Sequence, residues 1–241
     1  MVLQCLSFWQ ACGIDARSIM LEGSKDSMMR RVVAQLTENA NHMDNEWVEK
    51  NYQVALAQLE PHVQILDKMA GAITNGTLDG DPTYSDVKLW IARESEDVAK
   101  ILVVDPITSA DNEGKPWEAD KALVGYCQAS ARKYGNSIVL VTHPAKQGIK
   151  IPPSLDGLAG GTAFSRHVDS VLWLEKIDSQ PFDIASPMGG TYSAEIDRRL
   201  HLLKVRDGRG QGMVLGMNFS GGSLSLVESG VIVKSEPTAA I

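Results

Sequence analysis

Apolar and polar positions alternate in blocks along this chain, and the period changes from block to block. Met29, Val32, Val33 and Leu36 fall at i, i+3, i+4 and i+7, which predicts a helix from about Asp26. Four aliphatic residues in a row at 101–104 end in Asp105, and a similar run at 137–141 ends in Thr142 and His143. Runs of this kind suit strands buried on both faces. A shorter strand is predicted at 18–21, ending at Glu22, and another at 63–66. Helices are predicted at 2–12 with Gly13 as C-cap, at 46–59 stopped by Pro61, from Ser85 or Asp86 to about 98, and at 117–134. Residues 71–82, rich in Gly, Asn, Asp and Thr, read as a loop. Helix and strand alternating in this way predict an α/β fold, a mainly parallel sheet flanked by helices. After Gly161 the style changes. Strands at 170–174, 200–205, 213–219 and 223–227, joined by Gly-rich turns, predict antiparallel hairpins that extend one edge of that sheet. No repeat or linker divides the chain, so residues 1–234 read as a single domain and 235–241 as a flexible tail.

Composition narrows this picture. With 44% hydrophobic residues over 241 positions, the chain can build a real core. No apolar run approaches the ~20 residues of a membrane span. The start lacks the basic stretch and small-residue cleavage site of a secretory signal. Cys5, Cys12 and Cys127 are scattered and read as small buried hydrophobes, which points to a reducing, cytoplasmic setting. The net charge of −7 argues against a broad nucleic-acid-binding face, since such faces neutralise phosphates with Lys and Arg. It leaves room for a ring that grips a strand through a few loops.

Three strands deliver polar side chains to what should be one edge. Asp105 follows the clearest strand, and in open α/β sheets ligands bind at the carboxyl ends of the strands. A carboxylate there suits the water shell of Mg²⁺, a hard cation that keeps several waters. Glu22 ends a neighbouring strand and can orient and polarise an attacking water. His143 ends a third strand and can donate to a phosphate. Lys204 and Arg206 lie on the same side of a later strand, because side chains alternate with period two. They can reach a phosphate in the same subunit or in a neighbour. In the loop after His143, Lys146 and Lys150 flank Gly148 and are the candidate contacts to a nucleic-acid backbone. Trp90, Trp117 and Trp173 read as core or interface, not as stacking platforms. Each feature also has a plain reading as a strand end, a solvated loop or a hairpin turn; their order along the chain is the stronger signal.

That order resembles the RecA-like core of the DnaB replicative helicase family and of the related RepA-type plasmid helicases. Ile19-Met20-Leu21-Glu22, followed by Met28-Met29-Arg30, is similar to the segment with the catalytic Glu; Ile101 to Asp105 resembles the Walker B strand. Val141-Thr142-His143-Pro144-Ala145-Lys146 resembles the sensor strand. Leu158-Ala159-Gly160-Gly161-Thr162-Ala163, followed by Asp169, resembles the stretch after the central-channel loop, and Lys204-Val205-Arg206-Asp207-Gly208 the K-x-R-x-G pattern. The resemblance implies a P-loop ATPase that uses ATP and Mg²⁺, assembles into a homo-oligomeric ring and acts on single-stranded DNA. Glu22 would activate water and Asp105 would hold the metal's waters. His143 would sense the γ-phosphate, and Lys204 with Arg206 would serve a neighbour's nucleotide. KaiC-type and RecA-type recombination ATPases share this core.

One departure stands out. No G-x-x-x-x-G-K-[ST] phosphate loop occurs in the chain, which opens at the helix that would follow that loop. Two explanations are open: a piece of a longer ATPase, or a relative without the loop that works as a non-catalytic scaffold or regulatory module. In either case the strand that normally leads into the loop is missing, and exposed strand edges are expected.

Overall fold

A computed structural model describes residues 1–75, 82–96, 100–111, 115–144, 152–158 and 166–233. Its first part is a parallel four-stranded sheet with helices on both faces. The strand order is β2 (Ile73–Asn75), β1 (Ala16–Met20), β3 (Ile101–Asp105), β4 (Ser137–Leu140). Alternation along β1 and β3 assigns their side chains to two cores. Ile19, Leu102 and Val104 pack with α6 (Tyr84–Glu94) and α7 (Pro116–Tyr134) through Val87, Ile91, Leu123 and Val124. Ala16, Met20 and Val103 pack on the opposite face with α1 (Val2–Ala11), α2 (Lys25–Leu36) and α5 (Val63–Ala72) through Leu6, Val32 and Met69. Being flanked on both faces is what makes β3 a continuous aliphatic run.

Helix ends follow their local chemistry. Ser24 caps α2, its hydroxyl accepting from the Ser27 N–H. Thr83, and not Ser85 or Asp86, caps α6 in a capping box that Asp86 completes. Gly135, in the left-handed region at φ 73°, ends α7. The Tyr84 hydroxyl donates to Asp120 at 2.7 Å and ties α6 to α7.

Two local expectations change. The predicted helix at 46–59 is two helices, α3 (Asn45–Lys50) and α4 (Tyr52–Leu59), broken at Asn51. Residues 63–66 are not a strand but the first turn of α5. Pro61 sits in a 3₁₀ turn (Glu60–His62) that leads the chain directly into that helix. The apolar positions Ile65, Leu66, Met69 and Ala72 continue at helical spacing, and all but Ala72 belong to the α1–α2 core. The strand of this region is β2, three residues inside the stretch expected to be loop.

The second part is an antiparallel sheet in the order β5 (Ser170–Ala185), β6 (Thr191–Val205), β7 (Val214–Ser220), β8 (Ser225–Val231). The hairpins are as expected, but they form their own sheet, with no ladder to the parallel one among the described residues. Packing joins the two sheets instead. Val171, Trp173 and Leu203 pack in the same core as Leu102 and Val104. On the other face Gln4 makes a two-way hydrogen bond with the Leu226 backbone, and Gln35 donates to the Leu224 carbonyl. At the far end Ile184 and Ile196 are fully buried, and Gly216 and Gly230 leave room for them.

Candidate functional site

The carboxyl ends of β1, β3 and β4 meet at one edge because the strands are parallel and in register. Met20 pairs with Asp105, and Val104 with Leu140. The backbone continues this alignment past the strands. The Leu21 N–H donates to the Asp105 carbonyl at 2.8 Å, Val141 N–H to Val104 at 2.9 Å, and Ile107 N–H to Val141 at 2.8 Å. Glu22, Asp105 and His143 are therefore brought together, as their sequence positions imply.

Their side chains interact. His143 Nε2 lies 3.7 Å from Glu22 Oε1, and both groups are more than half exposed, so the pair is weak and adjustable. The Ser109 hydroxyl, from the 3₁₀ turn Ile107–Ser109 after β3, donates to the same Glu22 oxygen. Burial pushes the Asp105 carboxyl above the ordinary range. The Met1 ammonium pulls it back, Glu22 raises it again, and His143 lowers it. The start of α1 thus lies at the same edge as the acids, and burial in turn lowers the Met1 ammonium. Among the described residues no cluster of three or more His, Cys, Asp or Glu could enclose a metal ion. Two carboxylates on an open edge fit a cation that keeps its own water, which is the habit of Mg²⁺ rather than of Zn²⁺.

Lys204 and Arg206 contact the segment before β5. Lys204 Nζ donates to the Arg166 carbonyl at 3.2 Å, and Arg206 reaches the same carbonyl at 3.3 Å while pairing with Asp169 at 2.8 Å. The two cations share a direction, as period-two alternation requires, but none of their described contacts is to Glu22 or Asp105. Lys146 and Lys150 lie outside the described residues, as does most of the segment 158–163. Trp90 is core and Trp173 packs against that core, whereas Trp117 is 62% exposed and is not core.

Two polar groups at this edge went unread in the sequence. Ser109 had a faint signal, a hydroxyl four residues past Asp105. Asn75 ends β2 opposite Met20, and its side-chain oxygen is buried with no partner among the described residues. It lay hidden in a stretch that reads as loop.

No family profile and no curated protein sequence matches the chain. Solved structures do. One solved ATPase domain superposes with a TM-score of 0.71 at 12% identity, over 94% of this chain and 78% of that one. A DnaB-like replicative helicase, solved in a study of its interactions with primase, gives a TM-score of 0.71 at 11% identity. That match covers 94% of this chain but only 53% of the helicase, so this chain spans about half of that protein. At such identities the likeness establishes the fold alone: the chain has the fold of these two solved proteins.

Proposed function

We propose that the chain is the core of an ATP-driven ring motor that moves along single-stranded DNA, of the replicative-helicase kind. The observation that carries this reading is the convergence of Glu22, Asp105 and His143 at the carboxyl edge of a sheet with the DnaB-type fold. Asp105 would bind through the water shell of Mg²⁺, which supplies positive charge at the phosphates. Glu22, steadied by Ser109, would orient the water that attacks in line and accept its proton. His143, within reach of Glu22, would register the γ-phosphate. Lys204 and Arg206 would serve the nucleotide of an adjacent subunit in a homo-oligomeric ring. Lys146 and Lys150 would touch the DNA backbone inside that ring.

A second reading is a RecA-like module that scaffolds or regulates without turnover. One experiment separates them. A strand and phosphate loop ending in Gly-Lys-Thr are joined ahead of Met1, and ATP binding and hydrolysis are followed with and without single-stranded DNA. On the motor reading the extended protein turns over, and Glu22→Gln cuts turnover at least ~100-fold with ATP binding kept. Binding without turnover in the extended parent supports the scaffold. Equal turnover in parent and Glu22→Gln removes Glu22 from the mechanism.

A further inference from the structure

Residues 166–169 lead into β5 and are anchored from three directions. From α7, the Gln128 amide donates to the His167 carbonyl. Val168 packs against the core that holds Leu102 and Val104. From the end of β6, the Arg206 N–H donates to the Asp169 carbonyl at 2.9 Å and continues the ladder that pairs Ser170 with Val205. None of these three anchors uses the side chain of Lys204 or Arg206.

Those two side chains add a separate layer of contacts. The Arg206 guanidinium donates through Nη1 to Asp169 Oδ1 at 2.8 Å and through Nη2 to the Arg166 carbonyl at 3.3 Å. Lys204 Nζ donates to the same carbonyl at 3.2 Å. The ion pair stands in water, with the Arg206 side chain 40% exposed and that of Asp169 72% exposed. A pair of this kind contributes little net stability, because water solvates both partners when it opens. Charge favours its exchange for a stronger anion. Arg166, Lys204 and Arg206 meet at this segment, and Asp169 is the carboxylate that answers them in the described contacts. A chain of phosphates offers the guanidinium the same forked geometry with more negative charge.

We propose that Asp169 is a latch on Arg206: its carboxylate holds the guanidinium against the Arg166 carbonyl, and a polyphosphate frees it by taking the carboxylate's place. The inference rests on the reading of Lys204 and Arg206 as phosphate contacts and adds what controls them. Asp169 is a positioning residue in this scheme. It acts through Arg206 and touches no phosphate, since two anions repel. The exchange is confined to side chains, because Gln128, Val168 and the Arg206 N–H keep 166–169 in place whether the latch is closed or open. A single carboxylate then sets the threshold that a ligand must exceed. A multiply charged phosphate chain displaces it, and an anion carrying one charge, such as acetate, does not.

The test titrates the 241-residue chain with inorganic tripolyphosphate at low salt and follows the Asp169 carboxylate carbon and the Arg206 guanidinium by NMR. The expected result is that both signals move with one midpoint, while acetate at equal ionic strength moves neither. Asp169→Asn should bind tripolyphosphate about 2–5-fold more tightly than the parent, and Asp169→Glu should bind like the parent. Arg206→Gln should lose most of the binding. Backbone amides of 166–169 should keep their exchange rates throughout. Equal affinity in the parent and Asp169→Asn, or an Arg206 signal that moves while that of Asp169 stays, overturns the latch and leaves both cations as phosphate contacts. Saturation with neither signal moving, or no binding at all, overturns the reading of the two cations together with the latch. The shifts in the parent chain decide the matter even where a variant fails to fold.

Discussion

At the scale of single residues, Asp105 carries the clearest electrostatic consequence. Burial raises its folded-state carboxyl above the unfolded value, so the folded chain holds that proton more tightly than the unfolded one does. Stability contributed by this group is therefore full below about pH 3.9 and declines as pH rises through the raised folded value. Asp105→Asn removes the charge and should melt a few degrees higher than the parent at pH 7, with the gap closing toward pH 4. Thermal melts at several pH values check this. Millimolar Mg²⁺ should stabilise the parent and leave the Asn variant unmoved; a variant stabilised equally would place the cation elsewhere. The cysteines give a second residue-scale prediction. Burial pushes the Cys127 thiol up to about 12, and the side chain is 6% exposed, whereas Cys12 is exposed and Cys5 half-buried. A thiol reagent at pH 8 should label Cys12 quickly, Cys5 slowly because its thiol is also raised, and Cys127 only on unfolding. Mass spectrometry of the labelled peptides reads the order directly.

At the scale of elements, two glycines decide whether the far end of the antiparallel sheet can close. A Cβ on Gly216 would meet Ile196 Cδ1 at 2.8 Å, and one on Gly230 would meet Ile184 Cγ2 at 2.8 Å. Gly230 also sits at φ +124°, a conformation that side chains other than Gly's disfavour. Gly230→Ala should therefore cost about 2–3 kcal/mol and Gly216→Ala about 1–2 kcal/mol, measured by denaturant unfolding. If the two cost the same, backbone strain at Gly230 is not contributing. These elements also mark where the sequence could be read. Glu22, Asp105 and His143 were legible because each closes an aliphatic run, and a parallel register carries the ends of such runs to one edge. Val63 to Leu66 was misread because four apolar residues suit a buried strand or one helical turn equally, and only Met69 and Ala72 further on distinguish them. β5 and β6 are far longer than read, since Glu175, Lys176, Asp178 and Gln180 hide a strand whose polar face is solvated. The Ser109–Glu22 bond was out of reach, because it depends on the path of a 3₁₀ turn.

At the scale of the whole molecule, the two sheets share a core but no ladder among the described residues, and that sets how they unfold together. Leu102 is fully buried at the centre of the core that also holds Val171 and packs Trp173 and Leu203. Leu102→Ala should cost about 2–5 kcal/mol through lost burial and an unfilled cavity. Packing ties the sheets on this face, so the loss should reach the second sheet in part. Amides at 170–174 and 200–205, where Val171, Trp173 and Leu203 pack in the shared core, should exchange faster in the variant along with those of β3. Amides near Ile184 and Ile196 should hold their protection, because those residues pack against Gly216 and Gly230 and are not part of the core around Leu102. The α1 face supplies the contrast. Gln4→Ala removes both hydrogen bonds to Leu226 and should loosen β8 while leaving 170–174 as protected as before. Native-state hydrogen exchange on the two variants measures both patterns. Uniform loss of protection across β5 to β8 in Leu102→Ala would make the antiparallel sheet one cooperative unit with the parallel one. Protection of 170–174 unchanged in that variant would mean that the sheets fold independently, and that the shared core contributes little to holding them together.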